Sequence, residues 1–246
     1  MNRCGIRLSR QTMSNWLLRA AEEYLCPVYE QLHRELLQRE VLHADETMLQ
    51  VLHEPGRKPE NDSYMWLYRT SGDTDKAIVL YEYRPGRGAK YPKAFLSGFN
   101  GYLHTDGYVA YHDLPTEITV VGCWAHSRTA APKSALGKAF TYLKEQWPYL
   151  TNYLKDGRLE ISNNRAERSI KPFVIDRKNF LFANTPRGAT GSAVIFSLIQ
   201  TAMENGLDPY RYLTWLLKTA NNVDFTGAET IQKLLPWNAP QECRAK

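Results

Sequence analysis

The sequence predicts an α/β fold: one mixed sheet of five strands flanked by helices, with helical segments at both ends. Three observations carry this. The apolar positions of the first forty residues recur at helical spacing, at Tyr24, Leu25, Val28, Tyr29, Leu32, Leu36 and Leu37. From Val41 the period changes to that of strands, and three strand-like runs follow one another across short turns. Beyond residue 134 the pattern returns to helix and stays there.

In order, Ser9 can cap a first helix through Leu18, and a second runs over 22–40. VLHADETMLQVL is the first strand, YMWLYRT the second and KAIVLYEYRP the third, separated by turns at Asn61–Ser63 and Ser71–Asp75. Short turns imply an antiparallel meander. Residues 90–99 read as a helix, GYLHTDGY as a fourth strand ending at Asp106, and ITVVGCWAH as a fifth. Helices are then expected over 134–154, 163–171 and 190–204. Gly206 stops the last of these, and Asp208–Pro209 opens another through Lys218. The tail from Gly227 is expected to be loosely ordered. This order is that of a ribonuclease-H-like fold.

Composition places the chain among globular proteins, with 43% hydrophobic and 23% charged residues in 246. The longest clearly apolar run, 193–199, is far short of the roughly 20 residues a membrane span needs. The N-terminal residues show no signal-peptide pattern, and Cys4, Cys26, Cys123 and Cys243 show no paired spacing. A reduced, cytoplasmic protein is expected, with no membrane partner. Net charge is +5, and its placement matters more than its size. Residues 165–190 hold six basic residues (Arg165, Arg168, Lys171, Arg177, Lys178, Arg187) against Glu167 and Asp176. RPGRGAKYPK adds a second acid-free cluster. Such patches attract phosphate backbones, although a plain solvated basic face has the same composition.

Three acids stand out. Asp45 lies inside the first strand, with Thr47 on its face and Glu46 on the other. Asp106 ends the fourth strand beside Gly107. In this fold those strands are neighbours, and Glu167 would arrive from a helix packed across them, with Ala166 and Ile170 facing the sheet. Three clustered carboxylates repel one another unless a cation is present. They suit a hard divalent ion such as Mg²⁺, with Mn²⁺ as a substitute, in phosphoryl transfer. Each acid also has a bland reading: Asp45 paired with a lysine, Asp106 as an Asp-Gly turn, Glu167 completing a capping box with Asn164. Cys123-x-x-His126 has half the spacing of a zinc site with no second pair, and a structural strand-end role suits it better. No G-x-S-x-G and no glycine-rich phosphate loop is present. Trp66, Trp124, Trp147 and Trp215 are better placed as core than as base-stacking platforms.

These residues sit inside longer motifs. LSRQTMSNWL, VLHADET, GYLHTDGY, CWAH, PKSALGKA, GRLEISNN-AER-IKPFVI-RKNFLFANTPRGA and ENGLDPYRYLTWLL occur in that order, and the chain resembles the transposases of the insertion-sequence 66 family, of the DDE type. The resemblance implies a bacterial mobile-element enzyme. It would cut double-stranded DNA at element ends and join the 3′ ends to a target, using Mg²⁺ held by Asp45, Asp106 and Glu167. DNA would lie on Arg165, Arg168, Lys171, Arg177, Lys178 and Arg187. Possible partners are further copies of the chain or accessory transposition proteins, and the bound protein would be nucleoid-associated. It also implies a division: 1–40 as the remnant of an N-terminal DNA-binding region, 41–220 as the catalytic domain, 221–246 as a tail. The sequence departs from the family in three ways. Family members are much longer at the N-terminus. His126 and Glu167 are unusually close in sequence, which places a shortened insertion near 127–133. Asp176 stands where the family usually has glycine. The alternative is therefore a catalytically inactive remnant that binds DNA or an intact transposase. What separates the two is whether the helix bearing Glu167 still docks over the sheet.

Overall fold

A computed structural model describes residues 8–127, 135–181, 183–220, 222 and 227–245. The expected shortening near 127–133 falls almost wholly outside these residues. The elements are α1 (Arg10–Ala20), α2 (Cys26–Leu37), β1 (Val41–Gln50), β2 (Asp62–Thr70), β3 (Val79–Arg84), α3 (Lys90–Phe95), β4 (Gly101–Thr105), β5 (Ile118–Gly122), α4 (Trp124–Ser127), α5 (Ala135–Leu150), α6 (Asn164–Phe180), α7 (Pro186–Glu204), α8 (Pro209–Ala220) and α9 (Ala228–Lys233). The sheet order is β3-β2-β1-β4-β5. The first three strands are antiparallel, and β4 and β5 run parallel to β1. This is the five-stranded mixed sheet that the element order predicts.

The helical start is broken where its chemistry requires. The Ser9 hydroxyl accepts from Thr12 N at 3.0 Å and caps α1. Ala21–Leu25 then form a π-helical turn just before Pro27, a residue with no N–H to continue the regular ladder.

The two faces of the sheet bury different cores. Leu42, Ala44, Trp66, Tyr68, Leu80 and Leu103 meet α2, α3 and α8 on one side. Leu49, Met65, Leu67, Val79 and Tyr81 meet Ala166, Ile170 and Phe173 of α6 on the other, together with Ala189 and Ala193 of α7. Strand β2 is covered on both faces and reads as a nearly unbroken buried run.

Helix α7 also closes the free edge of β3. Val79 N donates to the Thr201 hydroxyl at 3.0 Å, and that hydroxyl donates to Val79 O at 3.0 Å. Tyr81 N donates to Ser197 Oγ at 2.8 Å, and Tyr81 O accepts from Tyr29 OH at 3.0 Å. An edge strand is a template for unwanted pairing, and here helix hydroxyls occupy it.

Three expectations change. Strand five stops at Gly122, and Trp124–Ser127 is helical. Helix α6 does not end at Lys171 but passes through Pro172 to Phe180. An interior proline costs about 3 kcal/mol, whereas burying Ile170 and Phe173 returns about 1.5–3 kcal/mol each. Packing therefore prevails over propensity. The tail is ordered over the described residues: Ile231, Leu234, Leu235 and Cys243 are buried, Asp208 N donates to Cys243 O at 2.8 Å, and Tyr212 OH donates to Leu234 O at 2.8 Å. Apolar residues spaced too irregularly to show a period nonetheless fill the end of the first core.

Ser197→Ala leaves the buried Tyr81 N–H without its acceptor. The expected loss is about 1–3 kcal/mol in urea unfolding, with the unfolding slope unchanged.

Candidate active site

The parallel pairing of β1 with β4 sets the geometry. His43 lies opposite His104 in that register. Two residues further along each strand, on the same face, come Asp45 and Asp106. The register thus carries these acids side by side on adjacent strands, whose spacing is about 4.8 Å. Asp106 stands just past the end of β4, where Gly107 turns the chain at φ +90°. Asp106 Oδ1 accepts from Tyr108 N at 2.9 Å, so the turn role is also present. Asp45 Oδ1 accepts from Glu46 N at 2.8 Å.

Glu167 enters on the first turn of α6, which packs mainly across β1 and β2 rather than, as expected, across the two strands that carry the aspartates. The N-cap is Asn163, not Asn164, and its side chain makes no capping bond. The amide is instead spent on the sheet. Asn163 Nδ2 donates to Ala44 O at 2.8 Å, which leaves Oδ1 to accept from His43 Nδ1 at 3.0 Å. Asn163 N donates to Cys123 Sγ at 3.1 Å. The strand-end role expected of Cys123 is met in this bond, while the His126 side chain lies outside the described residues.

Electrostatics tie the three acids together. The Asp45 carboxyl is pushed up to about 8, first by burial, then by the negative charges of Glu46, Asp106 and Glu167, against the opposing hydrogen bond from Glu46 N. Below the acids the stacked rings of His43 and His104 lie 4.4 Å apart and are fully buried. Burial lowers His104 to about 4 and holds His43 well below its ordinary range, so both rings are neutral at pH 7. Glu46, on the opposite face, is a structural acid: Tyr111 OH donates to it at 2.6 Å and Arg87 Nε at 2.8 Å. The Arg87 guanidinium also stacks 3.6 Å from the centroid of the Tyr108 ring, in the loop after Asp106.

The donor set is all oxygen and acidic, which suits a hard divalent cation. A carboxyl held protonated by burial and by its acidic neighbours is also one that a cation would release. As placed, the side chains stop short of closed coordination. Among the described residues, no three His, Cys, Asp or Glu side chains stand close enough together to hold a metal ion.

The basic residues divide into two groups. Arg165 pairs with Glu160 at 2.6 Å, Arg187 pairs with Glu22 at 2.6 Å, and Arg177 donates to Met48 O. Arg168, Lys171 and Lys178 are exposed along the outer stripe of α6 and make no ion pair among the described residues. The acid-free cluster is largely neutralised, since Arg84 pairs with Glu82, Arg87 with Glu46 and Lys93 with Asp113. Trp66 is core, and Trp147 is exposed. The sequence reading missed Asn163 and His43. The available signal was their position, one turn before Glu167 and two residues before Asp45.

The family model described as "Transposase IS66 family" matches residues 1–131 and 127–191, and that of the IS66 C-terminal element matches 197–237. The chain belongs to the IS66 transposase family. The two stretches of the first match meet at 127–131, where the shortened segment is expected. Among relatives, the uncharacterised protein y4qI of Sinorhizobium fredii is 28% identical over 314 positions, covering 96% of this chain and 57% of its own. The uncharacterised protein y4jD of the same organism is 28% identical, covering 95% of this chain and 60% of its own. This chain therefore spans a little over half the length of these relatives. An alignment of 314 positions cannot be filled by 246 residues, so y4qI also carries internal residues that this member of the family lacks. Among the described residues no helix is long and apolar enough to cross a membrane.

The raised Asp45 carboxyl has a consequence for stability. The folded protein holds this proton where the unfolded chain, with an ordinary carboxyl near 4, has lost it. Stability therefore falls as pH rises from about 4 to about 8. Asp45→Asn removes that loss. Its gain over wild type should be near zero at pH 4, grow with pH, and level off above pH 8 in parallel denaturant titrations.

Proposed function

We propose that this chain carries the catalytic core of a DDE-type transposase, acting on double-stranded DNA by divalent-metal-dependent phosphodiester cleavage and strand transfer. The observation that carries the reading is the β1–β4 register, which lays Asp45 beside Asp106 while α6 brings Glu167 to the same face. Membership of the IS66 family supports it independently.

In this reading Asp45, Asp106 and Glu167 hold Mg²⁺ or Mn²⁺. When bound, the metal supplies an activated nucleophile and stabilises charge on the phosphoryl and leaving oxygens. The protein supplies the rest. The sheet provides a rigid base for two carboxylates, and the buried imidazole pair under them excludes water and bears no charge. Arg168, Lys171 and Lys178 receive backbone phosphates along α6 and set the position of the duplex without reading its sequence. Arg165, Arg177 and Arg187, already engaged within the protein, contribute to the local positive field.

A second reading, a non-catalytic remnant that binds DNA, is favoured by one observation: the three carboxylates are near one another without forming closed coordination. Calorimetric titration with Mn²⁺ separates the two. Saturable binding that Glu167→Ala abolishes, together with Mg²⁺-dependent nicking of supercoiled DNA lost in Asp45→Asn, is the expected result. No binding, or binding indifferent to Glu167, leaves the remnant.

The DNA surface has its own test. Replacing Arg168 and Lys178 together with glutamine should reduce the slope of log affinity against log salt by about 1.8, two phosphate contacts' worth. An unchanged slope removes both from the interface.

A further inference from the structure

Asn163 is fully buried, and its side chain and backbone together bond to β1, to the residue after β5 and within the first turn of α6. Its Nδ2 donates to Ala44 O, the residue immediately before Asp45. Its Oδ1 accepts from His43 Nδ1, on the face that carries Asp45. Its N donates to Cys123 Sγ, just after β5. Its C=O accepts from Glu167 N at 3.2 Å and so starts the first turn of α6. One residue thus touches the strand of the first acid and the turn of the third.

The location has a physical cause. Paired residues of the β1–β4 ladder end at His43 and His104. From Ala44 onward β1 leans on other partners on that side. A buried carbonyl without a partner would cost about 1–3 kcal/mol, and the Asn163 amide meets that need for Ala44. The same amide satisfies His43 Nδ1, which fixes the ring orientation and its stack on His104. An aspartate here would lose the donor to Ala44. A leucine would lose both bonds.

We infer that Asn163 is a positioning residue of the candidate active site: with His43 it fixes where α6 starts on the sheet, and so where Glu167 stands relative to Asp45 and Asp106. The inference rests on the proposed reading of these three acids as one site. No sequence motif for the chemistry itself requires Asn163, because it bears no charge and does not face solvent. Its contribution is geometric. A carboxylate displaced by an ångström no longer shares a cation with its partners, and loss of such supporting bonds typically costs 10–100-fold in metal affinity.

The test uses the whole chain, with Asn163→Ala, His43→Phe and Glu167→Gln. His43→Phe keeps an aromatic ring over His104 while removing the donor to Asn163, and serves if Asn163→Ala folds poorly. Two readouts are needed. Hydrogen exchange of the backbone amides reports the anchoring of α6, and Mn²⁺ titration reports the carboxylates. The expected result for Asn163→Ala is at least a tenfold rise in exchange confined to amides 167 and 168, the first to be bonded within α6, with β2 and α7 unchanged, and a 10–100-fold loss of Mn²⁺ affinity. His43→Phe should move both readouts in the same direction by less. Exchange unchanged at 167 and 168, or raised equally across β2 and α7, overturns the inference. So does an Mn²⁺ affinity untouched by Asn163→Ala but weakened by Glu167→Gln. A parent protein that binds no Mn²⁺ removes the metal-site reading instead, and the exchange pattern still decides whether Asn163 anchors the helix.

Discussion

The docking of α6 across β1 and β2 is the constraint on which the rest of the structure depends. It buries Ala166, Ile170 and Phe173 against the sheet and closes the second core. It also brings an acid from late in the sequence to the face where two earlier acids emerge. Hydrophobic burial supplies most of the attraction, but burial is not directional. A helix lying on a flat apolar face can slide or rotate at little cost. Polar bonds at its ends remove that freedom. Asn163 holds the start against β1, Arg69 donates to the Ser169 hydroxyl in the middle, and Arg177 reaches Met48 O near the end. Arg69 also pairs with Glu204 at 3.1 Å, which links α6 to α7.

The face beneath the acids is polar in an unusual way. Two fully buried imidazoles lie stacked with three ring nitrogens unpartnered among the described residues: His43 Nε2 and both nitrogens of His104. An apolar pair would pack at lower cost. The neutral rings do two things that leucines would not. One orients Asn163, and both present a flat, uncharged floor under Asp45 and Asp106. Charged groups there would change the balance that keeps the Asp45 carboxyl up near 8. Glu46, the adjacent acid, adds its charge to that balance while Arg87 and Tyr111 hold its side chain on the far side of the strand. Strand alternation is what lets one acid pair within the structure while its neighbour faces the candidate site.

Charge on this protein divides in the same manner. Many of its cations are engaged in holding elements together, as Arg187 is with Glu22 and Arg84 with Glu82. Such partly exposed pairs contribute modestly to stability. The exposed stripe Arg168–Lys171–Lys178 differs in lying beside Glu167 on a helix whose other face is anchored. Basic composition alone does not distinguish these groups. Only the partners do.

Much of the fold was legible in the sequence, because periodicity records which face each element buries. The change at Val41 from helical to strand spacing, the Ser9 cap and the Gly206 stop all stand near where the residues indicate. The family motifs were legible too, and Asp45 and Asp106 were conspicuous as carboxylates on strand-like runs, whereas Glu167 stood in a basic helical stretch. What the sequence could not determine was set by long-range contacts. Pro172 signals a helix end, yet the apolar face of α6 outweighs it. The tail lacks a period, yet Leu234, Leu235 and Cys243 find a core to fill. Asn163 does not stand out in the sequence, where Asn164 reads as the capping residue, and only the end of the β1–β4 ladder, 119 residues away in sequence at Ala44, gives it a task. Local preference is written residue by residue, whereas the partner of a buried polar group exists only once distant strands have paired.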